Sequence, residues 1–264
     1  MDYAMLAGAV AATAGGLREL GLGRGERVAV YLEKRFETVI ALFAAAAAGG
    51  VLVPVNPVLK AEQVAYILID CNVRILVTSL ERLKLLQTVL PLCHDLHTVI
   101  VTDAPNNPPV IAGLTVSGWE ALMTAGGVYT PSPVIDSDMA AIIYTSGSTG
   151  KPKGVVLSHR NLLAGAKSVA QYLQNRADDR ILTVLPLSFD YGLNQLTTAF
   201  YAGAANVLMN YLLPRDIIRL VDEQQITGLA AVPPFGFSWR NWTGARRHRC
   251  GISPIPAALC RARR

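Results

Sequence analysis

The chain has 264 residues, of which 52% are hydrophobic and only 16% are charged, so it contains enough apolar material for a large buried core. The net charge of +5 does not indicate a nucleic-acid-binding protein, because seven arginines and no acidic residue fall between Phe235 and Arg264. Removing those seven from the 24 basic residues leaves 17 against 19 acidic residues in 1–234, which makes the larger part of the chain slightly acidic.

The cysteines favour free thiols in a reducing, cytoplasmic setting. Cys71, Cys93, Cys250 and Cys260 form no Cys-x-x-Cys pair and no disulfide-like framework. The segment 93–97 contains metal-binding residue types, but it lacks a second pair of ligands, so we expect no metal site. The N-terminus has no early basic residues, which argues against a secretory signal.

One uncharged stretch, residues 38–59, is long enough to cross a bilayer. Gly49-Gly50 and the segment Pro54–Pro57 interrupt it. A helix that ends at the glycine pair and is followed by a buried strand, Val51–Val55, explains the pattern better. We therefore predict no transmembrane span.

Short β-rich runs alternate with longer helical patterns along most of the chain, which is typical of α/β folds with mixed sheets flanked by helices. The predicted strands are Arg27–Leu32, Val51–Val55, Arg74–Thr78, Thr98–Thr102, Met139–Thr145, Gly154–Leu157, Arg180–Leu185, Ala205–Met209 and Thr227–Val232. The predicted helices are Tyr3–Leu20, Phe36–Ala48, Ala61–Asp70, Leu80–Leu90, Asn161–Gln174 and Pro214–Gln224.

The segment Ala140–Asn161, AAIIYTSGSTGKPKGVVLSHRN, carries the clearest chemical signal. Two apolar strands, both predicted to be buried, flank a loop of threonine, serine and glycine. Glycines let successive backbone N–H groups turn towards one anion, and hydroxyl groups add donors with little bulk. A lysine at the rim, Lys151 or Lys153, supplies a positive charge for phosphate. The loop is therefore predicted to bind a polyphosphate.

This loop is not the P-loop of NTPases. That pattern requires a glycine five residues before Gly150, where Thr145 stands, and a serine or threonine after its lysine, where Pro152 stands. A strand follows the loop, whereas the P-loop leads into a helix.

The string YTSGSTGKPKGVVLSH resembles the phosphate-binding signature of AMP-forming adenylating enzymes, which include acyl-CoA synthetases, luciferases and nonribosomal adenylation domains. The resemblance extends over about residues 3–234 and includes Arg24–Leu32, Ala44–Pro57 and Leu185–Asn194. The N-terminal part also resembles acyl-CoA ligases found beside bacterial exosortase systems. The resemblance implies the N-terminal domain of an AMP-dependent ligase, truncated at both ends.

Activity and ligands follow from this resemblance. It implies ATP-dependent activation of a small carboxylic acid to an acyl-adenylate and then to a thioester, with Mg²⁺ and with coenzyme A or a carrier thiol. Lys153 and Thr149 are the implied catalytic residues. The implied ATP phosphate ligands are Thr145, Ser146, Gly147, Ser148, Thr149, Gly150, Lys151 and Lys153.

Two further positions have alternative interpretations. Phe189 and Asp190 stand where amino-acid-activating relatives often place Phe-Asp, so they are candidates for the acyl pocket, although Asp190 could instead cap a helix that begins near Tyr191. Ser158 and His159 could form a nucleophile and base pair, but no third orienting group is evident. Ser158 as the N-cap of the following helix is the better interpretation.

The last residues break the strand–helix pattern. We expect 1–234 to be a partial AMP-binding domain and 235–264 to be an arginine-rich tail that is out of frame or disordered. No segment matches the family's Tyr-Gly-x-Thr-Glu or Thr-Gly-Asp motifs, so we expect the fragment to be inactive. A catalytically dead phosphate-binding fragment and a basic interaction protein acting through its tail remain the alternatives.

Overall fold

The computed structural model describes residues 1–105, 109–127, 130–146, 151–210, 213–230 and 259–261. The chain divides into two compact units, Met1–Arg160 and Asn161–Arg264. Each unit has its own β-sheet, so the predicted mixed α/β fold is confirmed. The predicted boundary after Pro234 lies outside the described residues and stays a prediction.

The first unit alternates helices and strands. Its helices are α1 (Tyr3–Glu19), α2 (Phe36–Ala47), α3 (Ala61–Asp70), α4 (Leu80–Leu86) and α5 (Trp119–Ala125). Its strands are β1 (Arg27–Tyr31), β2 (Val51–Pro54), β3 (Val73–Thr78), β4 (Thr98–Val101), β5 (Thr115–Gly118), β6 (Met139–Thr145) and β7 (Lys153–Ser158).

The strands of the first unit form a seven-stranded sheet in the order β5-β4-β3-β1-β2-β6-β7. The paired strands from β5 to β6 are parallel, and β7 runs antiparallel to β6. All residues of β2 and β4 are buried, and β1 and β3 are buried except for one partly exposed residue each, so both faces of these four neighbouring strands are shielded from water.

The uncharged stretch from residue 38 to 59 folds as the glycine pair predicts. Helix α2 ends at Ala47, Gly49 adopts a φ of +87°, and the buried strand β2 starts two residues later at Val51. Such a backbone conformation favours glycine, which explains the helix end at this point. Across the described part of the chain, no helix combines the length and the hydropathy that a bilayer crossing needs.

Helices α1 and α5 approach each other through glycine. A β carbon built on Gly16 would lie 2.0 Å from the backbone oxygen of Leu122, and one on Gly15 would lie 2.1 Å from that of Gly126. Conversely, a β carbon on Gly126 would lie 2.0 Å from the backbone oxygen of Ala12. Three glycines therefore allow a backbone-to-backbone contact that side chains would prevent.

The second unit contains most of α6 (His159–Leu173), together with α7 (Asp190–Ala202) and α8 (Pro214–Glu223). Its sheet has the order β11-β10-β8-β9, with β8 (Arg180–Thr183), β9 (Ala205–Leu208), β10 (Gly228–Ala230) and β11 (Leu259–Arg261). Strand β8 pairs parallel with both β9 and β10, while β11 pairs antiparallel with β10.

The predicted strands are confirmed to within two residues at each described end. Three elements, β5, α5 and β11, have no predicted counterpart, α7 was expected only as a helix that begins near Tyr191, and one helix was predicted too long. No element was predicted for β5 and α5, since β5 is short and partly exposed and carries no apolar run. Helix α4 ends at Leu86, whereas the prediction continued to Leu90. The β-branched Thr88 and Val89 are followed by Pro91, and this combination disfavours helix.

Candidate phosphate site

The predicted phosphate loop is the connection between two antiparallel strands. Thr145, the last residue of β6, pairs with Lys153, the first residue of β7, and Tyr144 pairs with Gly154. The structure therefore brings two sequence-predicted site residues, Thr145 and Lys153, opposite each other at the mouth of the loop. The predicted residues Gly147, Ser148, Thr149 and Gly150 lie outside the described residues.

The loop leaves the sheet at the carboxyl edge of the parallel strands. Because β6 is parallel to β2, the end of β6 lies at the edge where the other parallel strands also end. Ligands of open α/β sheets bind at this carboxyl edge. The side chains of Thr145, Ser146, Lys151 and Lys153 are all exposed there, so hydroxyl groups and two ammonium groups face solvent around the loop.

The second strand flanking the loop was wrongly predicted to be buried. Residues 153–156 of β7 are exposed, with Val155 at 45% and Val156 at 56% exposure. Strand β7 is exposed because it is the last strand in the order of its sheet, and only β6 pairs with it among the described strands. An apolar composition predicts a strand here, but only the sheet order determines its burial.

Helix α3 contacts both strands of the loop through tyrosine hydroxyl groups. The hydroxyl of Tyr66 donates to the backbone oxygen of Pro152 at 3.2 Å, and the hydroxyl of Tyr144 donates to Oδ2 of Asp70 at 2.5 Å. Tyr66 and Asp70 lie one helical turn apart and share a face of α3. Burial, followed by the contact with Asp70, raises the pKa of Tyr144 above its ordinary value, so its hydroxyl stays protonated.

The Tyr144 ring also accounts for the glycine of the Pro-Lys-Gly unit. A β carbon on Gly154 would lie 3.2 Å from Cζ of Tyr144 and 2.7 Å from Cγ2 of Ile142. Cross-strand neighbours of β6 thus occupy the space that a side chain at position 154 would need. No sequence motif marks Tyr66 and Asp70, so neither was predicted as a site residue. Tyr144, by contrast, directly precedes the loop in the sequence.

A second polar cluster lies where the strand order of the first sheet reverses direction, between the ends of β1 and β3. Arg82 of α4 pairs there with Glu33, donates to the backbone oxygen of Pro57 at 2.5 Å, and stacks 4.7 Å above the ring of Tyr31. The hydrogen bond from Arg82 holds the pKa of Glu33 below its ordinary value. The chain's own ion pair thus lies at this switch point of the strand order, where open α/β sheets often bind ligands.

The remaining candidate residues occupy helix starts. Ser158 directly precedes α6, the position expected of an N-cap residue. In the second unit, Phe189 is the N-cap residue of α7 and is 42% exposed, and Asp190 is the first helical residue. The carboxylate of Asp190 accepts a hydrogen bond from the backbone N–H of Tyr191 at 2.7 Å. In the described ranges, no group of three or more His, Cys, Asp or Glu side chains could hold a metal ion.

The pattern of the AMP-binding enzyme family matches residues 1–251. The chain therefore belongs to the AMP-binding enzyme family, and the predicted resemblance to AMP-forming ligases is confirmed.

Several curated relatives are acyl-CoA ligases. A crotonobetaine/carnitine–CoA ligase of Salmonella paratyphi C is 32% identical over 242 residues, which cover 88% of this chain and 45% of the relative. A 4-coumarate–CoA ligase of Pinus taeda is 31% identical over 232 residues, covering 84% of this chain and 41% of the relative. The chain thus spans less than half the length of these relatives.

Solved structures of similar proteins share the fold. The crystal structure of ATP-bound MatB from Rhodopseudomonas palustris has a TM-score of 0.75 and 26% identity, covering 91% of this chain and 46% of that one. The inhibitor-bound N-terminal domain of FACL13 from Mycobacterium tuberculosis has a TM-score of 0.73 and 26% identity, covering 91% of this chain and 58% of that one.

Proposed function

We propose that the chain binds the phosphates of ATP at the β6–β7 loop and serves in the activation of a carboxylic acid. The observation that carries this proposal is the pairing of Thr145 with Lys153, which closes a loop rich in Ser, Thr and Gly at the carboxyl edge of the sheet. Family membership and the ATP-bound relative add support.

The loop residues have distinct proposed roles. Backbone N–H groups and hydroxyl groups of the loop would surround the β- and γ-phosphates, and Lys153 would supply charge-assisted hydrogen bonds to them. Lys151, which is also exposed, would add charge at the rim. Thr149 and Lys153 are proposed to act on the reacting phosphates. The proposed phosphate ligands are Thr145, Ser146, Gly147, Ser148, Thr149, Gly150, Lys151 and Lys153.

The proposed reaction has two steps. A carboxylate oxygen of the substrate attacks the α-phosphorus of ATP, the bond to the bridging oxygen breaks, and pyrophosphate leaves as the acyl-adenylate forms. A thiol, that of coenzyme A or of a carrier, then attacks the acyl carbon and displaces AMP, so that a thioester forms. Positive charge at the loop would stabilise the negative charge that develops on the leaving pyrophosphate.

Mg²⁺ fits this proposal as a companion of ATP. The exposed donors at the mouth of the loop are hydroxyl and ammonium groups, and within the described residues no cluster of carboxylate, imidazole or thiol ligands accompanies them. The phosphate oxygens would therefore supply most ligands of the ion, which reduces the charge of the bound ATP.

We further propose that Phe189 and Asp190 belong to the acyl pocket. Phe189 offers a partly exposed aromatic ring, and the Asp190 carboxylate is exposed at the start of α7. A carboxylate in such a pocket would favour substrates that carry an amine. The contact from Tyr191 N–H occupies only one carboxylate oxygen, so the other oxygen could bind such an amine.

The phosphate site is tested by calorimetric titration of the full chain with ATP and Mg²⁺. We expect Lys153→Ala to weaken binding about ten-fold or more, since a hydrogen bond to a charged group contributes about 1.5–3 kcal/mol. Lys84→Ala, which removes an exposed lysine of α4, is the matched control and should bind like the parent. Equal affinities for Lys153→Ala and the parent would contradict the loop assignment.

The activation step is tested separately by exchange of labelled pyrophosphate into ATP. The full chain is assayed with fatty, aromatic and amino acids. We expect no exchange, in line with the unmatched sequence motifs; an acid class that did support exchange would identify the substrate class and overturn the expectation of an inactive fragment. An absence of exchange with every acid, alongside normal ATP binding, would limit the function of residues 1–264 to phosphate binding.

A further inference from the structure

Two tyrosine hydroxyl contacts connect α3 to residues that directly precede proposed phosphate ligands. Tyr144 immediately precedes Thr145, and Pro152 immediately precedes Lys153. The hydroxyl contacts from Tyr144 to Asp70 and from Tyr66 to the Pro152 backbone oxygen thus join one helix to both strands at the mouth of the loop.

We propose that Tyr66, Tyr144 and Asp70 are positioning residues that hold Thr145 and Lys153, at the two ends of the phosphate loop, in place relative to α3. We call these three residues the α3 clamp. The inference rests on the proposed function, because it assigns to the clamp the placement of Thr145 and Lys153 around the phosphates of ATP.

The surroundings of β7 explain why a clamp is needed. Residues 153–156 are exposed, so burial contributes little to holding the start of this strand in place. Its described anchors are the backbone pairing with β6 and the packing of Gly154 beneath the Tyr144 ring. The Tyr66 hydroxyl adds an anchor at Pro152, one residue before the lysine that must meet the phosphates.

The Tyr66 hydroxyl contact is partly buried and the Tyr144 hydroxyl contact is exposed, but both involve the same face of α3. Both tyrosine rings are partly buried against the core that lies beneath β1, β2 and β3. Packing therefore holds both rings in place, so that the Tyr66 hydroxyl of α3 contacts the hairpin and the Tyr144 hydroxyl of the hairpin contacts α3. Replacing either tyrosine by phenylalanine keeps this packing and removes only the hydrogen bond.

The clamp predicts a selective effect on nucleotide binding. Loss of one such hydrogen bond lowers the population of the binding conformation, and the apparent affinity falls by the same factor. We expect Tyr66→Phe and Tyr144→Phe each to weaken the binding of ATP with Mg²⁺ about five-fold, the equivalent of about 1 kcal/mol. The urea midpoint of unfolding should change little, because the core packing is retained.

Substitutions of Asp70 separate the hydrogen bond from the charge. Asp70→Asn keeps an oxygen that can accept from Tyr144, so it should bind ATP nearly as well as the parent. Asp70→Ala removes the acceptor and should resemble Tyr144→Phe. If instead both variants bound ATP more tightly, Asp70 would act only as a negative charge near the phosphates, and the clamp would be overturned.

The experiment combines calorimetric titration of the full chain with amide hydrogen exchange. Tyr201→Phe, at an exposed tyrosine of α7, is the matched control and should behave like the parent. In Tyr66→Phe, exchange should quicken in peptides from residues 144–157 and stay unchanged in β1 and β3. A Tyr66→Phe variant with parental affinity and parental exchange would overturn the clamp and leave the phosphate site intact. A parent chain that fails to bind ATP would overturn both.

Discussion

The close contact between α1 and α5 predicts that glycine-to-alanine substitutions at two positions of α1 change the free energy of unfolding in opposite directions. Gly16 and Gly8 both lie in α1, but a β carbon on Gly16 would stand 2.0 Å from the Leu122 backbone oxygen, whereas one on Gly8 meets nothing within 4 Å. We therefore compare Gly16→Ala with Gly8→Ala.

The magnitudes follow from two opposing effects. Alanine in place of glycine gains about 1 kcal/mol of helix propensity at either position. At position 16, restoring ordinary contact requires α1 and α5 to separate by about 1.4 Å, and forced repacking of this kind costs ~1–3 kcal/mol or more. Because the obstructing atom belongs to the backbone of α5, no rotamer change relieves it. Gly16→Ala should lose about 2 kcal/mol of stability, while Gly8→Ala should gain about 0.5–1 kcal/mol.

Urea denaturation followed by far-ultraviolet circular dichroism measures both effects. In a thermal scan of a chain of this size, the midpoint should fall by about 4–8 °C in Gly16→Ala and rise by about 1–4 °C in Gly8→Ala. A Gly16→Ala variant as stable as Gly8→Ala would refute the close helix contact.

Two further predictions concern buried polar groups. Burial lowers the pKa of Lys34 from 10.5 to about 8, so between these pH values the unfolded chain binds more protons at this site and the free energy of unfolding rises with pH. Lys34→Met should reduce this rise in urea titrations at several pH values. An unchanged slope would contradict the prediction. Thr13 is fully buried, and its hydroxyl finds no hydrogen-bond partner among the described residues. Thr13→Val should therefore stabilise the chain by about 1 kcal/mol in urea denaturation. A loss of stability would point to a partner for the hydroxyl.

The sequence alone predicted the type of most elements and indicated a phosphate loop. Continuous Val, Ile and Leu runs predict strands such as β1 and β3 because only a sheet covered on both faces accommodates them. The Gly49-Gly50 pair predicts the end of α2 because a positive φ is required there. The Ser, Thr and Gly content of residues 145–150 predicts a phosphate loop through local chemistry that does not depend on distant residues.

Only the tertiary structure decided what depends on neighbours distant in the chain. The exposure of β7 follows from its place at the end of the strand order, and β5 exists as a strand because it pairs with β4. The α3 clamp joins Tyr66 to Pro152, which are far apart in sequence, so no local pattern could reveal it. Gly154 illustrates both levels: its motif predicts a phosphate loop, whereas the side chains of Ile142 and Tyr144 explain why a larger residue does not fit there.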